Sequence, residues 1–338
     1  MKILVIPDIH ENYKDALENI KNNKDQVDKV VVLGDYVDSF EDELNGLNMI
    51  NGFNELCLMK RKELNKFNII LGNHDLSYIS NTRDGERVSG HQYKYAEQYR
   101  TMFENNLDIL DICCKYDDII FSHAGISRTW YRRIIEKYNA NNSFSFVPKK
   151  LAKKINSISK KLNNINHYYF NDEIFSLVNV TNDEEKAKVD KYRAIQSDLN
   201  KQLQEAYLEA EKYYKDTLSL KKSPVTNLNR IFHSKFNDED PCSSYYFEHC
   251  GWSSSGDSSG ESCTWIRPYS LLFDDWPRCK MQVVGHTEAG EKYFSYNNKK
   301  LMILDSHSHN LFKIIDTEKL NELKFIDVSL DILGSLSI

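Results

Sequence analysis

Five short clusters of carboxylate, imidazole and amide side chains recur along the chain, and these groups suit metal chemistry. The clusters, in order, are Asp8-x-His10, Gly34-Asp35-x-x-Asp38, Gly72-Asn73-His74-Asp75, His123 within SHAG, and Gly285-His286-Thr287. A mixed set of nitrogen and oxygen ligands suits borderline first-row divalent ions such as Mn, Fe or Zn, and not a cysteine-rich structural zinc or an all-oxygen calcium site. Two such ions about 3.5 to 4 Å apart need a shared ligand, and a carboxylate can bridge them.

Short apolar runs precede the first four clusters and must position them. The runs are KILVIP (2–7), KVVVL (29–33), FNIIL (67–71) and DDIIF (117–121). We predict a strand for each run, with helices over 12–24, 44–65 and 91–105 between them. Strands that alternate with helices indicate an α/β layered domain, in which ligand sites collect at the carboxyl ends of the strands. Four polar clusters at four strand ends therefore indicate a site more strongly than any one of them.

The pattern changes in the middle of the chain. Residues 140–224 are rich in Lys, Asn and Glu, and the apolar spacing predicts a long helix over 183–220 that Pro224 ends. We expect a mostly helical insertion of unknown role, which either packs on the domain or serves as a partner-binding arm. A run of strands is then predicted at 281–285, 291–296, 299–305 and 311–316. These strands suggest a second sheet, so that residues 1–139 and 225–338 form one domain.

The overall composition favours some classes of protein over others. The chain has 338 residues, 41% of them hydrophobic, which indicates a folded globular protein with a substantial core. The net charge is −6, and the sequence contains no block of five like charges. The charges therefore indicate neither a membrane-binding nor a nucleic-acid-binding surface, although they do not exclude a nucleic-acid partner. We expect a cytoplasmic location, because neither a signal peptide nor an apolar run of 18 residues is visible, and free thiols for the seven cysteines. Abundant Tyr, Asn and Lys suggest an AT-rich genome, such as that of a virus or phage.

Taken in order, the five clusters resemble the motif set of the calcineurin-like metallophosphoesterase superfamily. That set reads D-x-H, GD-x-x-D, GNH-D/E, H-(A/G)-G and GH, and the resemblance covers residues 1–130 and 263–316. Within the superfamily the sequence is most similar to the phosphoprotein-phosphatase (serine/threonine phosphatase) branch and its bacterial and phage relatives. The resemblance implies an α/β (α+β) fold with two packed mixed β-sheets flanked by helices, here with a helical insertion.

The resemblance also implies two sets of metal ligands that share one residue. The first ion would be bound by Asp8 and His10, the bridging ligand would be Asp35, and the second ion would be completed by Asn73, His123 and His286. The cofactors would be two divalent ions, with Mn²⁺ favoured and Fe, Zn or Ni as alternatives.

The same resemblance implies the catalytic groups. His74 would be the general acid that protonates the leaving oxygen, and Asp38 would orient its imidazole and raise its basicity. A bridging hydroxide, its pKa lowered by the metals, would attack phosphorus in line, so that no covalent phosphoenzyme is required.

Three positions depart from the expected pattern. Ser39 stands where the protein-phosphatase branch usually has a phosphate-binding arginine, and Arg267 in CTWIRP is the best candidate to replace it. A surface arginine in a loop is the alternative for that residue. Glu288 occupies the place of the second histidine of the GH-x-H motif found in many phosphodiesterases, which favours the phosphatase branch. Asp75 replaces the more common Glu after GNH.

These features predict a metallophosphoesterase, a phosphoric ester hydrolase that acts on phosphate monoesters of a phosphoprotein or a nucleotide. The alternative is a phosphodiesterase or a nucleotide or nucleic-acid-end phosphatase, including a dinucleoside polyphosphate hydrolase. A catalytically inactive binding module would require the loss of ligands, and none is lost. The physiological substrate, the metal in vivo and the oligomeric state do not follow from the sequence.

Overall fold

A computed structural model describes residues 1–38, 46–79, 88–143, 149–170, 183–210, 223–236, 247, 261–287, 290–304 and 312–328. The chain forms two compact units. The larger consists of Met1–Ile135 with Leu220–Ile338, and the smaller of Glu136–Ser219.

The first sheet of the larger unit has five strands. They are β1 (Lys2–Ile6), β2 (Lys29–Val32), β3 (Phe67–Ile70), β4 (Leu110–Asp111) and β10 (Lys313–Asp316). Their order is β10-β1-β2-β3-β4, with β1 to β4 parallel and β10 antiparallel to β1. The last four residues of β1 are all buried, as expected for a parallel strand that is covered on both faces.

The second sheet of the larger unit has six strands. They are β5 (Cys113–Tyr116), β6 (Ile119–Ser122), β7 (Met281–Val284), β8 (Lys292–Tyr296), β9 (Lys299–Ile303) and β11 (Ile326–Asp327), in the order β11-β8-β9-β7-β6-β5. The sheet is mixed, since β6, β7 and β9 run parallel, β5 is antiparallel to β6, and β8 is antiparallel to β9 but parallel to β11. One hydrophobic cluster joins the two sheets, with Val5 and Val31 from the first packed together with Phe121 and Val283 from the second. The prediction of two packed mixed sheets is thereby confirmed.

Helices of the larger unit flank these sheets. Among the described residues they are α1 (Tyr13–Asn23), α2 (Gly46–Lys62), α3 (Asn73–Ile79), α4 (Ala96–Glu104), α8 (Pro224–Phe236) and α9 (Pro268–Phe273). Helix α5 (Arg128–Ser143) begins in the larger unit and ends in the smaller, which also contains α6 (Lys149–Phe170) and α7 (Asp183–Ala210). In the smaller unit, α6 and α7 pack through Ile158, Leu162, Leu199 and Leu203. None of the described helices is long and apolar enough to cross a membrane.

One predicted strand differs from the structure at its start, and the predicted long helix is described only in part. Pro224 begins α8, because a proline at the first helical position loses no intrahelical hydrogen bond. The structure describes the predicted helix over 183–220 only as far as Ala210, and residues 211–222 lie outside the described part. The predicted strand over 117–121 begins at Ile119, because Asp117 has φ of 52° in the turn that joins β5 to β6.

Candidate metal centre

The predicted site residues lie at the carboxyl ends of five strands. Strands β1 and β2 lead into the loops that carry Asp8 and Asp35, and β3 leads to Asn73 at the start of α3. Strands β6 and β7 lead into the loops that carry His123 and His286. The strands within each set are parallel, so their carboxyl ends share one edge of a sheet. The edges of the two sheets meet at one site, because His123 from the second sheet lies close to Asp35 and Asn73 from the first.

The backbone of these loops adopts conformations that only a few residues tolerate. Among the described residues, eight other than glycine have a positive φ, and four of them belong to the site: His10 (45°), Asp35 (50°), Asp38 (72°) and His286 (64°). Left-handed backbone at such residues costs on the order of 1–3 kcal/mol each, and it persists only where the surrounding structure enforces it. The strain is therefore concentrated where side chains must turn towards a common point.

Two motif glycines make room for the carboxylates. A Cβ atom at Gly72 would lie 2.1 Å from Asp35 Oδ1, and one at Gly285 would lie 2.2 Å from Asp8 Oδ1. Both distances are far below van der Waals contact, so any side chain there would displace the carboxylate. The glycines of GNHD and GH are thus required by the position of a neighbouring acid.

Asp75 holds two of the loops together. Its fully buried carboxylate accepts hydrogen bonds from the backbone N–H groups of Asp35 (2.9 Å), Tyr36 (2.7 Å) and Gly72 (2.8 Å). Sequence reasoning noted this residue only as a variation on Glu and missed its function in the fold. Its position one residue after the histidine of GNH is the only signal in the sequence, and that signal gives no partner.

Four candidate ligand atoms converge on one point. His123 Nε2 lies 2.9 Å from Asn73 Oδ1, 3.2 Å from His286 Nδ1 and 3.3 Å from Asp35 Oδ2, and His286 Nδ1 lies 3.1 Å from Asn73 Oδ1. Adjacent ligands of one octahedral ion, each about 2.1 Å from it, would be about 3.0 Å apart. The spacing of the four atoms therefore fits a single divalent cation.

Backbone carbonyls fix which nitrogen of two imidazoles faces the site. His123 Nδ1 donates to the carbonyl oxygen of Leu33 (3.0 Å), and His10 Nδ1 donates to those of Val37 (2.9 Å) and Asp38 (3.2 Å). Each ring in its neutral form therefore presents the lone pair of Nε2 inwards, which is the orientation of metal-ligating histidines.

His286 has no corresponding support in the described residues. Its Nδ1 atom faces Asn73 and His123, while its Nε2 atom is buried and finds no hydrogen-bond partner among the residues that the structure describes.

A second group of candidate ligands shares Asp35 with the first. The ligand atoms of His10, Asp35 and His74 lie within 4.8 Å of one another, as do those of Asp35, His123 and His286. Asp35 Oδ2 is 3.8 Å from His10 Nε2 and 4.0 Å from His74 Nε2. One carboxylate thus lies between two groups of imidazoles, which is the arrangement a bridging ligand requires.

Asp8 belongs to neither of these groups of three. Its Oδ2 atom accepts a hydrogen bond from the backbone N–H of His286 (2.9 Å), and its Oδ1 atom lies 3.6 Å from His123 Nδ1. The structure therefore brings Asp8 against the GH loop, on the β7 side of the site.

The predicted general acid and its carboxylate partner are in direct contact. His74 Nδ1 donates to Asp38 Oδ2 over 2.8 Å, and the Asp38 side chain is fully buried. The Nε2 atom of His74 is then the one directed towards Asp35. Burial lowers the pKa of His74, but the carboxylates of Asp35 and Asp38 outweigh it and raise that pKa above its ordinary value.

The carboxylates set the protonation of the remaining imidazoles. Burial lowers the pKa of His123, whereas Asp35 and Asp8 raise it, with a net value of about 9. Burial and the charge on His123 lower the pKa of His286 well below its ordinary value. Burial raises the pKa of Asp35, but His123 and His74 outweigh it and lower the pKa, so this carboxylate stays ionised. A proton on His123 and a cation in the cluster would compete for the same lone pair.

Arg267 lies beside the GH loop. Its Nη1 atom is 3.4 Å from the carbonyl oxygen of His286 and 3.5 Å from Thr287 Oγ1, and the side chain is half-buried. The ring of Trp265 packs edge-on against His286, with 5.6 Å between centroids. The Trp-x-Arg element thus borders the cluster of candidate ligands.

The sequence profile of the calcineurin-like phosphoesterase family matches residues 1–310. The chain belongs to this family. As a calcineurin-like phosphoesterase it is a metal-dependent hydrolase of phosphoric esters, and the convergent imidazole and carboxylate groups are its candidate ligands.

This calcineurin-like phosphoesterase is also similar to several solved structures. A cold-active protein-tyrosine phosphatase from a psychrophilic Shewanella species is 12% identical, with 94% of this chain and 75% of the other covered and a TM-score of 0.48. A protein serine/threonine phosphatase from Saccharomyces cerevisiae is 22% identical, with 37% and 38% covered and a TM-score of 0.26. A metallophosphoesterase from Sphaerobacter thermophilus is 23% identical, with 37% and 47% covered and a TM-score of 0.24. No curated protein sequence matches the chain.

Two of the positions at which this calcineurin-like phosphoesterase departs from the expected pattern, Ser39 and Glu288, lie outside the described residues.

Proposed function

We propose that the protein is a dinuclear-metal-dependent phosphomonoesterase, similar in chemistry to the serine/threonine protein phosphatases. The observation that carries this proposal is the cluster of Asp35, Asn73, His123 and His286. When His123 is neutral, the hydrogen bond to Leu33 leaves a lone pair on Nε2 that faces two oxygen acceptors at 2.9 and 3.3 Å. Lone pairs at this separation repel one another unless a cation or a proton lies between them.

The residues that would hold the two ions share Asp35. In this proposal His10 and Asp35, with Asp8, hold the first ion, while Asn73, His123 and His286 complete the second. The Asp8 carboxylate would also fix the backbone of His286, since it accepts a hydrogen bond from the N–H group of that residue. The bound ions would supply charge stabilisation for the phosphoryl group and an activated water.

His74 would hold a proton at Nε2 and give it to the leaving oxygen of the ester. The Asp38 carboxylate fixes the tautomer by accepting from Nδ1, and the raised pKa of His74 favours the protonated imidazole that a general acid needs. The contact with Asp38 also turns the ring so that Nε2 is directed towards Asp35. Arg267, at the rim of the site, would bind a phosphate oxygen.

The assay that tests the proposal compares two substrates of equal leaving group. With added Mn²⁺, we expect the purified protein to hydrolyse p-nitrophenyl phosphate with a higher kcat/KM than bis-p-nitrophenyl phosphate. A preference for the diester would overturn the monoesterase proposal in favour of a phosphodiesterase.

A variant serves as the control for this assay. Asp35→Asn removes the shared carboxylate charge and should abolish turnover of both substrates, which excludes a contaminating phosphatase as the source of activity. Turnover that persists in Asp35→Asn would contradict the proposed site.

A further inference from the structure

The buried carboxylate of Asp38 has a second side-chain partner besides His74. While Oδ2 accepts from His74, Oδ1 accepts a short hydrogen bond from the hydroxyl of Tyr78 and a longer one from the backbone N–H of Gln92 (3.3 Å). Asp38 is fully buried, so its charge is balanced by these protein groups in place of water.

Tyr78 is held firmly in this position. It lies four residues after His74 on α3, so both side chains are on one face of the helix and contact the same carboxylate. The Gln92 backbone N–H donates to the Tyr78 hydroxyl oxygen (2.8 Å), and the ring stacks on His91 with 4.3 Å between centroids and 9° between planes. The ring of Tyr99 packs edge-on at 5.0 Å.

The direction of the hydrogen bond follows from its surroundings. Burial and the negative charge of Asp38 raise the pKa of Tyr78, so the phenol keeps its proton and donates it to the carboxylate. The phenol and the imidazole of His74 therefore share one carboxylate, each bonded to a different oxygen.

We propose that Tyr78 is a positioning residue for the phosphoesterase reaction: by donating to Oδ1 of Asp38, it fixes the carboxylate whose Oδ2 atom holds the His74 ring. The proposal rests on the proposed function, in which His74 is the general acid. Without the phenol, Asp38 would lose a donor that holds its side chain in place, and the His74 ring would be held less firmly in the direction of the leaving oxygen.

The predicted consequence is a change in leaving-group dependence. A general acid that is held less firmly in place slows the esters whose leaving oxygen must be protonated, such as phenyl phosphate. It has little effect on p-nitrophenyl phosphate, whose leaving group departs as an anion. A side chain that only packs would affect both substrates equally, because its loss would change the amount or the shape of the active enzyme.

The test is Tyr78→Phe, which removes the hydroxyl and keeps the ring. With the Mn²⁺-loaded full chain we expect kcat on phenyl phosphate to fall about fivefold or more, with kcat on p-nitrophenyl phosphate within about twofold. The matched control is Tyr99→Phe, since Tyr99 is buried in the same aromatic cluster and donates to the Gln92 side chain, at Oε1, over 2.5 Å. This control should leave the ratio of the two rates unchanged. An equal fall on both substrates in Tyr78→Phe would overturn the proposal.

A second measurement separates this proposal from the proposed function. In the Zn²⁺-loaded protein, the His74 Nδ1–H proton should give a downfield proton resonance that is absent from Asp38→Asn. Tyr78→Phe should shift or broaden that resonance, because the Asp38 carboxylate is held less firmly, and Tyr99→Phe should not. An unchanged resonance overturns the proposed effect of Tyr78. Failure of the wild type to hydrolyse either ester would count against the proposed function alone.

Discussion

At the scale of single residues, the site depends on Asp35. Its Oδ2 atom lies 3.3 Å from His123 Nε2, 3.8 Å from His10 Nε2 and 4.0 Å from His74 Nε2, so one oxygen faces three imidazoles. The carboxylate can hold protons on these rings or share a pair of cations with them. Protons and cations are thereby coupled, and that coupling is measurable.

Proton release on metal binding should report this coupling. Because the pKa of His123 is raised to about 9, the metal-free protein carries a proton there at pH 7.5, and a cation must displace it. We expect about one proton per chain to be released from His123 at pH 7.5 and none above about pH 10, with metal affinity rising with pH up to about 9. Titration calorimetry in buffers of different ionisation enthalpy measures the number of protons released per metal-binding event. Proton release that does not decline at high pH would contradict the assignment.

A substitution of His74 separates two possible functions of this residue. Its Nε2 atom lies within 4.8 Å of ligand atoms of His10 and Asp35, so geometry alone is compatible with a metal ligand as well as with the proposed general acid. If it is the acid, His74→Ala keeps both ions, measured by elemental analysis, and loses about 10²-fold or more in kcat on phenyl phosphate. A loss of bound metal would show that the assignment is wrong.

At the scale of secondary structure, the strands that carry the site were predicted correctly, since each is an apolar run followed by a polar cluster. The short strands β4 and β5 were missed, because LD and CCKY have no apolar periodicity. Helix α3 was missed because its first residues belong to the GNHD motif, which was interpreted only as part of the site. Which strand belongs to which sheet depends on long-range pairing, which a sequence does not display.

The candidate site was predictable as a set of residues but not as a geometry. Residue type and order identified Asp35, His123 and His286 as members of one site. The contacts that fix them depend on distant backbone, such as the three N–H groups that bind Asp75 and the carbonyl of Leu33 that orients His123. Such contacts arise only when the loops are brought together.

A glycine substitution tests how closely these loops must approach. A Cβ atom in Gly72→Ala would lie 2.1 Å from Asp35 Oδ1, so the shared carboxylate must move. We expect loss of bound metal and at least about a 10²-fold fall in kcat/KM, with native circular dichroism.

Gly290→Ala is the matched control for this substitution. Gly290 has φ of +66° and nothing within 4 Å of the added atom, so the substitution introduces backbone strain without a clash. The Gly290→Ala variant should keep its metal. Equal metal content in both variants would contradict the steric argument.

At the scale of the whole molecule, the larger unit builds its site from both sheets. The first sheet leads to Asp35 and Asn73, the second leads to His123 and His286, and the shared core between the sheets holds these strand ends in position. The smaller unit has its own apolar contacts between α6 and α7. We propose that the segment 140–224 is an insertion within the phosphoesterase domain, and its function stays a separate question.

The central claim, that two divalent ions share Asp35, is tested most directly by anomalous diffraction from crystals of the Mn²⁺-loaded protein. The account predicts two anomalous peaks about 3.5 to 4 Å apart, one on either side of the Asp35 carboxylate. One of them should lie among Asn73, His123 and His286. A single peak, or two peaks of which neither contacts Asp35, would contradict the account.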